Sequence, residues 1–306
     1  MDYILDIKIY SQMIDYKGKI IVVAGPTASG KSDIALSLAK EVNGYIINGD
    51  SRQLYTDLNI GTSKPKFDSK ISKGEDIKDG ISHFLYDYIN PKESFTLYDY
   101  QKDVNTVLNS SKGIPILVGG SGLYIDSVIF NYNLVKNSKG ILNLESKTVK
   151  ELQELANDFL KDMNESDRAN RHRLIRAITR GGINTQRGEE LESIYFVIDI
   201  DRDTLKERVR ERIDKMFKEG LLEENTSLLD KGYTYVDKGM NSIGYIEFKE
   251  YFENNKSIED IKEEIFKNTM AYIKRQRTWF RRNKNSIWVD NNQELLYKAS
   301  NFILKV

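Results

Sequence analysis

The sequence predicts an α/β fold, a mostly parallel sheet flanked by helices, with a mainly helical insert. Three observations carry that reading. Ile20–Val23 is a short apolar strand that passes through Gly25-Pro26-Thr27-Ala28-Ser29-Gly30-Lys31-Ser32 into a helix from Asp33 to about Val42, and the turn fits the P-loop pattern GxxxxGK[ST]. Further apolar runs at Tyr45–Asn48, Ile114–Val118 and Ile194–Ile200 alternate with helix-period segments, as strands joined by crossover helices do. From about Asp126 to Gly188 the composition shifts to Asn-rich and then arginine-rich helical sequence. The division expected is a P-loop NTPase-like core over 1–125 and 189–306, with the insert at 126–188.

Composition narrows the function classes. The 306 residues leave room for one large domain with an insert, and 40% hydrophobic with 30% charged residues is a globular balance. Lys+Arg and Asp+Glu are both 46, so any attraction for polyanions has to be local. With no cysteine, disulfides and thiolate chemistry are excluded and a cytoplasmic enzyme is expected. Two histidines, His83 and His172, are too few for a histidine-rich metal site. No apolar run reaches membrane-spanning length, and residues 1–18 read as an extension or an added edge segment.

In the P-loop, glycines let successive N–H groups turn toward a phosphate and the helix start adds a positive dipole end. Lys31 supplies a point charge, and the Ser32 hydroxyl is placed to ligate Mg²⁺. The next strand ends at Asn48, and Asp50 follows at its C-terminal end, where ligands gather in open α/β sheets. That carboxylate either holds a metal, takes a proton or caps its turn. Asn59–Pro65 is a polar loop that lines a second substrate or merely connects. Lys66–Gly80 reads as an exposed loop, His83 as structural, and Thr96–Leu108 as a helix.

The strand at Ile114–Val118 ends in Gly119-Gly120-Ser121 where many P-loop enzymes carry a magnesium-holding aspartate, which counts against ordinary ATP hydrolysis. The double glycine fits close approach to a ligand or a tight turn. In the insert a helix is expected over Val149–Leu160, and Arg173, Arg176 and Arg180 share a helix face, either solvated or against a polyanion. The helix Arg202–Glu219 turns Leu205, Val209, Ile213, Met216 and Phe217 inward and stops at Gly220. Beside that stripe, Arg208 and Arg212 pair on the surface or sit over phosphate oxygens. Near the end, Tyr272–Lys284 interleaves aromatics with Lys274, Arg277, Arg281 and Arg282, as helix charge patterning or a phosphate-backbone contact.

Taken together these segments resemble the bacterial tRNA dimethylallyltransferases, also called tRNA isopentenylpyrophosphate transferases. The matching pieces are GPTASGKS at Gly25–Ser32, NGDSRQLY at Asn48–Tyr55, NIGTSKP at Asn59–Pro65, GGSGLYI at Gly119–Ile125 and HRLIRAI at His172–Ile178. LKERVRERIDKMFKEGL at Leu205–Leu221, SIGY at Ser242–Tyr245 and KRQRTWFRRN at Lys274–Asn283 complete an ordered set over nearly the whole chain. The chain departs in lacking the usual Asp-Pro before His172, in carrying Ser121 at a threonine position and in residues 1–18.

The resemblance implies transfer of a dimethylallyl group from dimethylallyl pyrophosphate to N6 of adenosine 37 in tRNAs reading codons that begin with U. It implies Asp50 as general base, and Lys31, Ser32 with Mg²⁺ and Arg212 as stabilisers of the pyrophosphate held by Gly25–Ser32. It places Asp50, Ser51, Arg52 and Gln53 at the acceptor nucleotide, and Ser121 near the channel where base and prenyl donor meet. Around the anticodon stem-loop it implies His172, Arg173, Leu174, Ile175 and Arg176, then Asn241, Ser242, Ile243, Gly244, Tyr245 and Ile246, and finally Arg277 and Arg281. A monomer is expected. The competing readings are an adenylate isopentenyltransferase acting on free nucleotide, a P-loop small-molecule kinase and a non-catalytic RNA-binding module. AMP as acceptor, ATP consumption and RNA retention without transfer discriminate them.

Overall fold

The computed structural model describes residues 11–135, 144–161, 163–179 and 186–304. The chain divides into two compact units, one drawn from Met1–Ile14 and Phe130–Glu190, the other from Asp15–Ile129 and Leu191–Val306. Relative to the expected insert at 126–188, the smaller unit starts four residues later and takes in the N-terminal segment.

After β1 (Ser11–Gln12), which belongs to the smaller unit, β2 (Ile20–Ala24) runs into α1 (Lys31–Glu41), and β3 (Gly44–Asn48) follows. Next come β4 (Ser69–Ser72), β5 (Glu75–Lys78), β6 (Ile81–Phe84), α2 (Leu97–Ser110), β7 (Ile114–Gly119) and α3 (Gly122–Ile129). The smaller unit contributes β8 (Tyr132–Val135), α4 (Val149–Leu155), α5 (Asn157–Leu160), α6 (Glu165–Ala169), α7 (Arg171–Thr179) and β9 (Gln186–Arg187). The larger unit resumes with β10 (Ser193–Ile198), α8 (Arg202–Lys218), α9 (Leu221–Asp230) and α10 (Phe248–Phe252). It closes with α11 (Ile258–Phe280), β11 (Ile287–Val289) and α12 (Asn292–Leu304).

The large sheet has the order β11-β10-β2-β7-β3-β6-β5-β4. The six strands from β11 to β6 run parallel, and β5 and β4 add an antiparallel edge. Lys66–Gly80 is therefore a hairpin and not the expected loop. Every residue of β4 is exposed, so the segment has no buried alternation, and a charged edge strand of this kind resists pairing with other chains. Ile21, Val23, Ile46, Ile116 and Phe196 on the central strands pack with Leu38 and Ala39 of α1 and Leu295 of α12. Full burial on both faces explains why those strands read as unbroken apolar runs.

A second apolar cluster joins Leu205, Val209, Ile213 and Met216 of α8 to Phe248, Ile261, Ile265 and Ile273. Asp201 caps α8, accepting from Asp203 and Thr204 N–H groups, and Gly220 ends it at φ 99°. A Ser257–Asp260 capping box starts α11. No described helix is long and apolar enough to cross a membrane.

Within the smaller unit β1, β8 and β9 form an antiparallel sheet, so Ser11–Gln12 is an added edge strand, while residues 1–10 lie outside those described. The helix expected over Val149–Leu160 breaks at Ala156 into α4 and α5. Leu152, Ala156, Leu174 and Ile178 form this unit's core.

Candidate active site

Ala28 and Gly30 take left-handed backbone, φ 65° and 81°, and fold the P-loop back before α1 begins at Lys31. The first-turn N–H groups of α1 have no partner within the helix and carry the positive end of its dipole. They stand at a cavity of about 180 Å³ lined by Thr27–Asp33 together with Asp50, Gln53, Gly119 and Arg212. Lys31 is walled in, its Nζ 3.3 Å from the Pro26 carbonyl. Burial lowers its pKa to about 8; the Asp50 carboxylate works against that and Arg212 adds to it. Burial likewise brings Arg212 down to about 10, with Asp50 opposing. These mutual effects put Lys31, Asp50 and Arg212 in one electrostatic compartment.

Asp50 leaves the end of β3 with its N–H bonded to Asn48 Oδ1 at 2.8 Å. Its own Oδ1 accepts the Arg52 N–H at 2.8 Å, an Asx turn. The turn-capping and proton-accepting readings of Asp50 are thus compatible, since Oδ1 serves the turn and Oδ2 is left for other chemistry.

A second cavity, of about 360 Å³, shares Thr27, Asp50, Thr62 and Arg212 with the first. Its other walls are Ser51 and Arg52, the loop residues Asn241–Gly244 and Ile246, and Asn268, Thr269, Tyr272 and Arg275 of α11. Val209, Ile213, Met216 and Ile265 supply an apolar side. A site with an anion cradle on one side, a roomy half-apolar chamber on the other, and a carboxylate and a guanidinium common to both suits group transfer from an anionic leaving group. Arg208 is exposed; it shares one outer cleft with Arg212 and lines another beside Ser29 and Gly30, but of the two arginines only Arg212 lines the cavity that holds Lys31 and Asp50.

The family model described as IPP transferase matches residues 53–283, and that described as isopentenyl transferase matches residues 18–78. This chain belongs to the IPP transferase family. Its sequence is 36% identical to a tRNA dimethylallyltransferase of Oceanobacillus iheyensis, over 94% of this chain and 96% of that one. Its structure is similar to the crystal structure of a tRNA isopentenylpyrophosphate transferase from Bacillus halodurans, with TM-score 0.70 and 30% identity over 94% of this chain and 96% of that one. A second such transferase, from Staphylococcus epidermidis, gives TM-score 0.68 and 28% identity over 94% and 99%. The mostly parallel α/β architecture agrees with that family.

The structure also shows what engages the individual residues of the expected RNA-contacting set. Tyr245 is fully buried; its hydroxyl donates to Glu224 at 2.6 Å and accepts the Gly61 N–H at 3.0 Å, so it ties loops together and offers nothing to an RNA. Ser242 is buried too, donating to the Gly239 carbonyl, although it lines the larger cavity. Arg277 donates to the Ile200 carbonyl at 2.7 Å and pairs with Asp199 at 2.9 Å, which commits its guanidinium internally. Leu174 lies in the core of the smaller unit and Ile175 packs against it, because α7 turns its apolar side inward. His172, Arg173 and Arg176 are exposed, with Arg173 paired to Asp167; Arg180 lies outside the described residues. Arg281 is exposed.

Ser121 is buried beside Ser51: its Oγ accepts the Ser51 N–H at 3.0 Å and donates to Ser51 Oγ at 3.1 Å. Gln53 donates to the Thr62 and Ser63 carbonyls, and Arg52 to the Lys238 carbonyl. The double glycine serves the protein's own packing: a Cβ on Gly119 would lie 2.1 Å from the Gly49 backbone, and one on Gly120 2.3 Å from the Gln276 amide. Asp126, taken as the start of the insert, belongs to the larger unit and accepts from Trp279 Nε1 at 2.7 Å. His83 is buried, as expected for a structural histidine.

Sequence reading missed the cavity-lining residues of α11 other than the basic cluster. Tyr272, one of the aromatics interleaved with the basic residues, lines the larger cavity, and burial with Asp50 nearby pushes its pKa up to about 12. Asn268 donates to the buried Glu247 carboxylate at 2.7 Å, and both line the same cavity. Gln276 reaches the P-loop itself. The one available signal was period: positions 265, 269, 272 and 276 share a helix face opposite the exposed Lys274.

Proposed function

We propose that this chain transfers a dimethylallyl group from dimethylallyl pyrophosphate to N6 of adenosine 37 in tRNA. The observation that carries the reading is the P-loop cavity lined by Lys31, Asp50 and Arg212, of which Asp50 and Arg212 also line the larger cavity.

In this reading the diphosphate lies against the first-turn N–H groups of α1 and Lys31, and the allyl carbon points toward the larger cavity. The adenine, extruded from the anticodon loop, enters that cavity with its Watson–Crick edge toward Asp50. As the N6–carbon bond forms, the allylic carbon–oxygen bond breaks and its electron pair leaves with pyrophosphate. The N6 proton passes to Asp50 Oδ2, and such general-base help is worth about 10²–10⁴ in rate. Lys31 and Arg212 stabilise the charge gathering on the leaving oxygens, about 10²–10³ for each pre-positioned donor. Neither asks for an adjacent nucleophile or a covalent enzyme intermediate.

Magnesium fits the donor set in a limited way. Among the described residues no three His, Cys, Asp or Glu side chains cluster as a metal cage. Ser32 and Asp50 do line the P-loop cavity, which suits an ion held mainly by diphosphate oxygens and water. Bound there, Mg²⁺ would neutralise part of the diphosphate charge. The exposed basic residues Arg275, Arg281 and Arg282, with His172, Arg173 and Arg176 of the smaller unit, supply phosphate contacts that orient the RNA without reading its sequence. The reading includes a monomer acting in the cytoplasm, where the acceptor is found.

The test is mass spectrometry of tRNA nucleosides after incubation with dimethylallyl pyrophosphate and Mg²⁺. Dimethylallyladenosine in tRNA, with AMP a poor acceptor, is the expected result. Transfer to AMP alone would make it a free-nucleotide enzyme, and ATP turnover without prenylation would make it a kinase.

A further inference from the structure

We infer that Asn48 is a positioning residue that sets the direction of the Asp50 carboxylate; the inference rests on the reading of Asp50 as proton acceptor. Asn48 ends β3 and is fully buried. Its carboxamide grips Asp50 twice, Oδ1 accepting the Asp50 N–H at 2.8 Å and Nδ2 donating to the Asp50 carbonyl at 3.1 Å. The same Nδ2 also donates to the Leu85 carbonyl at 2.9 Å, which anchors the grip just beyond the end of β6. Beneath it, the Tyr100 hydroxyl donates to the Asn48 carbonyl at 2.8 Å. From the other side Ser121 Oγ holds the Ser51 N–H.

Both peptide units that flank the Asp50 Cα are therefore held by side chains, one through its N–H and the other through its C=O and N–H. With Oδ1 tied to the Arg52 N–H, the torsions that aim Oδ2 are fixed from the backbone outward. The strand itself does not need this carboxamide, because β3 is paired along its length to β7, with Asn48 opposite Val118. Asn is the residue type that fits the duty. It offers an acceptor and two donors on a short stem without charge, whereas Asp has no donor when ionised and Ser cannot reach both sides. A displacement of about 1 Å at a reacting group costs about a hundredfold in rate.

The test compares Asn48→Ser and the isosteric Asn48→Asp with Tyr100→Phe and Asp50→Ala in the full chain. Single-turnover prenyl transfer to tRNA is read beside the KM for each substrate and the Tm. Expected is a ten- to hundredfold slower step in the Asn48 variants with both KM values within about twofold, while Tyr100→Phe lowers Tm and leaves the step within about twofold. Equal slowing by Tyr100→Phe, or failure of both Asn48 variants to fold, assigns Asn48 to stability alone and overturns the inference. Wild-type rates in the Asn48 variants with an inactive Asp50→Ala overturn it while sparing the base; an active Asp50→Ala overturns the base reading itself.

Discussion

Gln276 of α11 holds the P-loop: its Oε1 accepts the Thr27 N–H at 3.0 Å. Its Nε2 donates to the Gly120 carbonyl at 2.9 Å, and the side chain is almost wholly buried. A residue near the end of the chain thus joins the phosphate loop to the turn after β7. Replacing it by Leu leaves the buried Gly120 carbonyl unpaired, at about 1–3 kcal/mol, and takes the acceptor from the part-buried Thr27 N–H. Gln276→Leu is expected to lower Tm by several degrees and to raise the KM for dimethylallyl pyrophosphate more than that for tRNA, as measured by thermal melts and steady-state kinetics.

The two arginines of α8 are expected to separate in kinetics. Arg212 lines the P-loop cavity with Lys31 and Asp50, and Arg208 does not, although the two share an outer cleft. Arg212→Ala should slow single-turnover transfer by about 10²–10³ and Arg208→Ala by less than about tenfold. Equal losses at the two positions would show that the compartment has no special role.

Alkali should act through Lys31. Desolvation in the P-loop cavity brings its ammonium down to about 8, so raising the pH through that value discharges the group that the proposed reading sets against the diphosphate. For the free enzyme kcat/KM for the donor should fall above pH 8, while kcat at saturating donor persists to higher pH because bound diphosphate favours the charged form. The effect on folding has the opposite sign. Between about 8 and 10.5 the unfolded chain binds more protons at this residue, so its contribution to stability grows with pH. Lys31→Met should abolish the kinetic inflection and flatten that part of the stability curve.

Neighbouring arginines at the end of α11 should report different things. Arg277 spends its guanidinium on Asp199 and the Ile200 carbonyl, and Arg277→Ala should cost about 1–2 kcal/mol of stability with little change in the salt dependence of tRNA binding. The pair is partly exposed, which keeps the figure low. Arg281 and Arg282 are exposed, and neutralising both should raise the tRNA KM and flatten its dependence on salt. Binding isotherms at several salt concentrations distinguish the two patterns.

The parts of the site that could be read in advance obey local rules. The P-loop is a short pattern in its strand–loop–helix setting, and Asp50 follows from the rule that ligands gather where parallel strands end. Harder to read were residues whose meaning depends on distant partners. Tyr245 and Arg277 belong to segments that look functional, but Glu224 and Asp199 engage them. The β4–β5 hairpin was missed because its edge strand buries nothing and so carries no alternation.

By itself the sequence determined the central apolar strands with the helices α1, α2 and α8, the P-loop pattern and the carboxylate that follows β3, since each depends on residues close together in the chain. Only the tertiary structure decided which cations face the cavities, which are already paired, and which buried amides hold the backbone around Asp50 and the P-loop. The reason is physical: a charge or an amide is free or engaged according to neighbours brought near by packing, and Asn48, Gln276 and Arg277 find theirs on other elements of the fold.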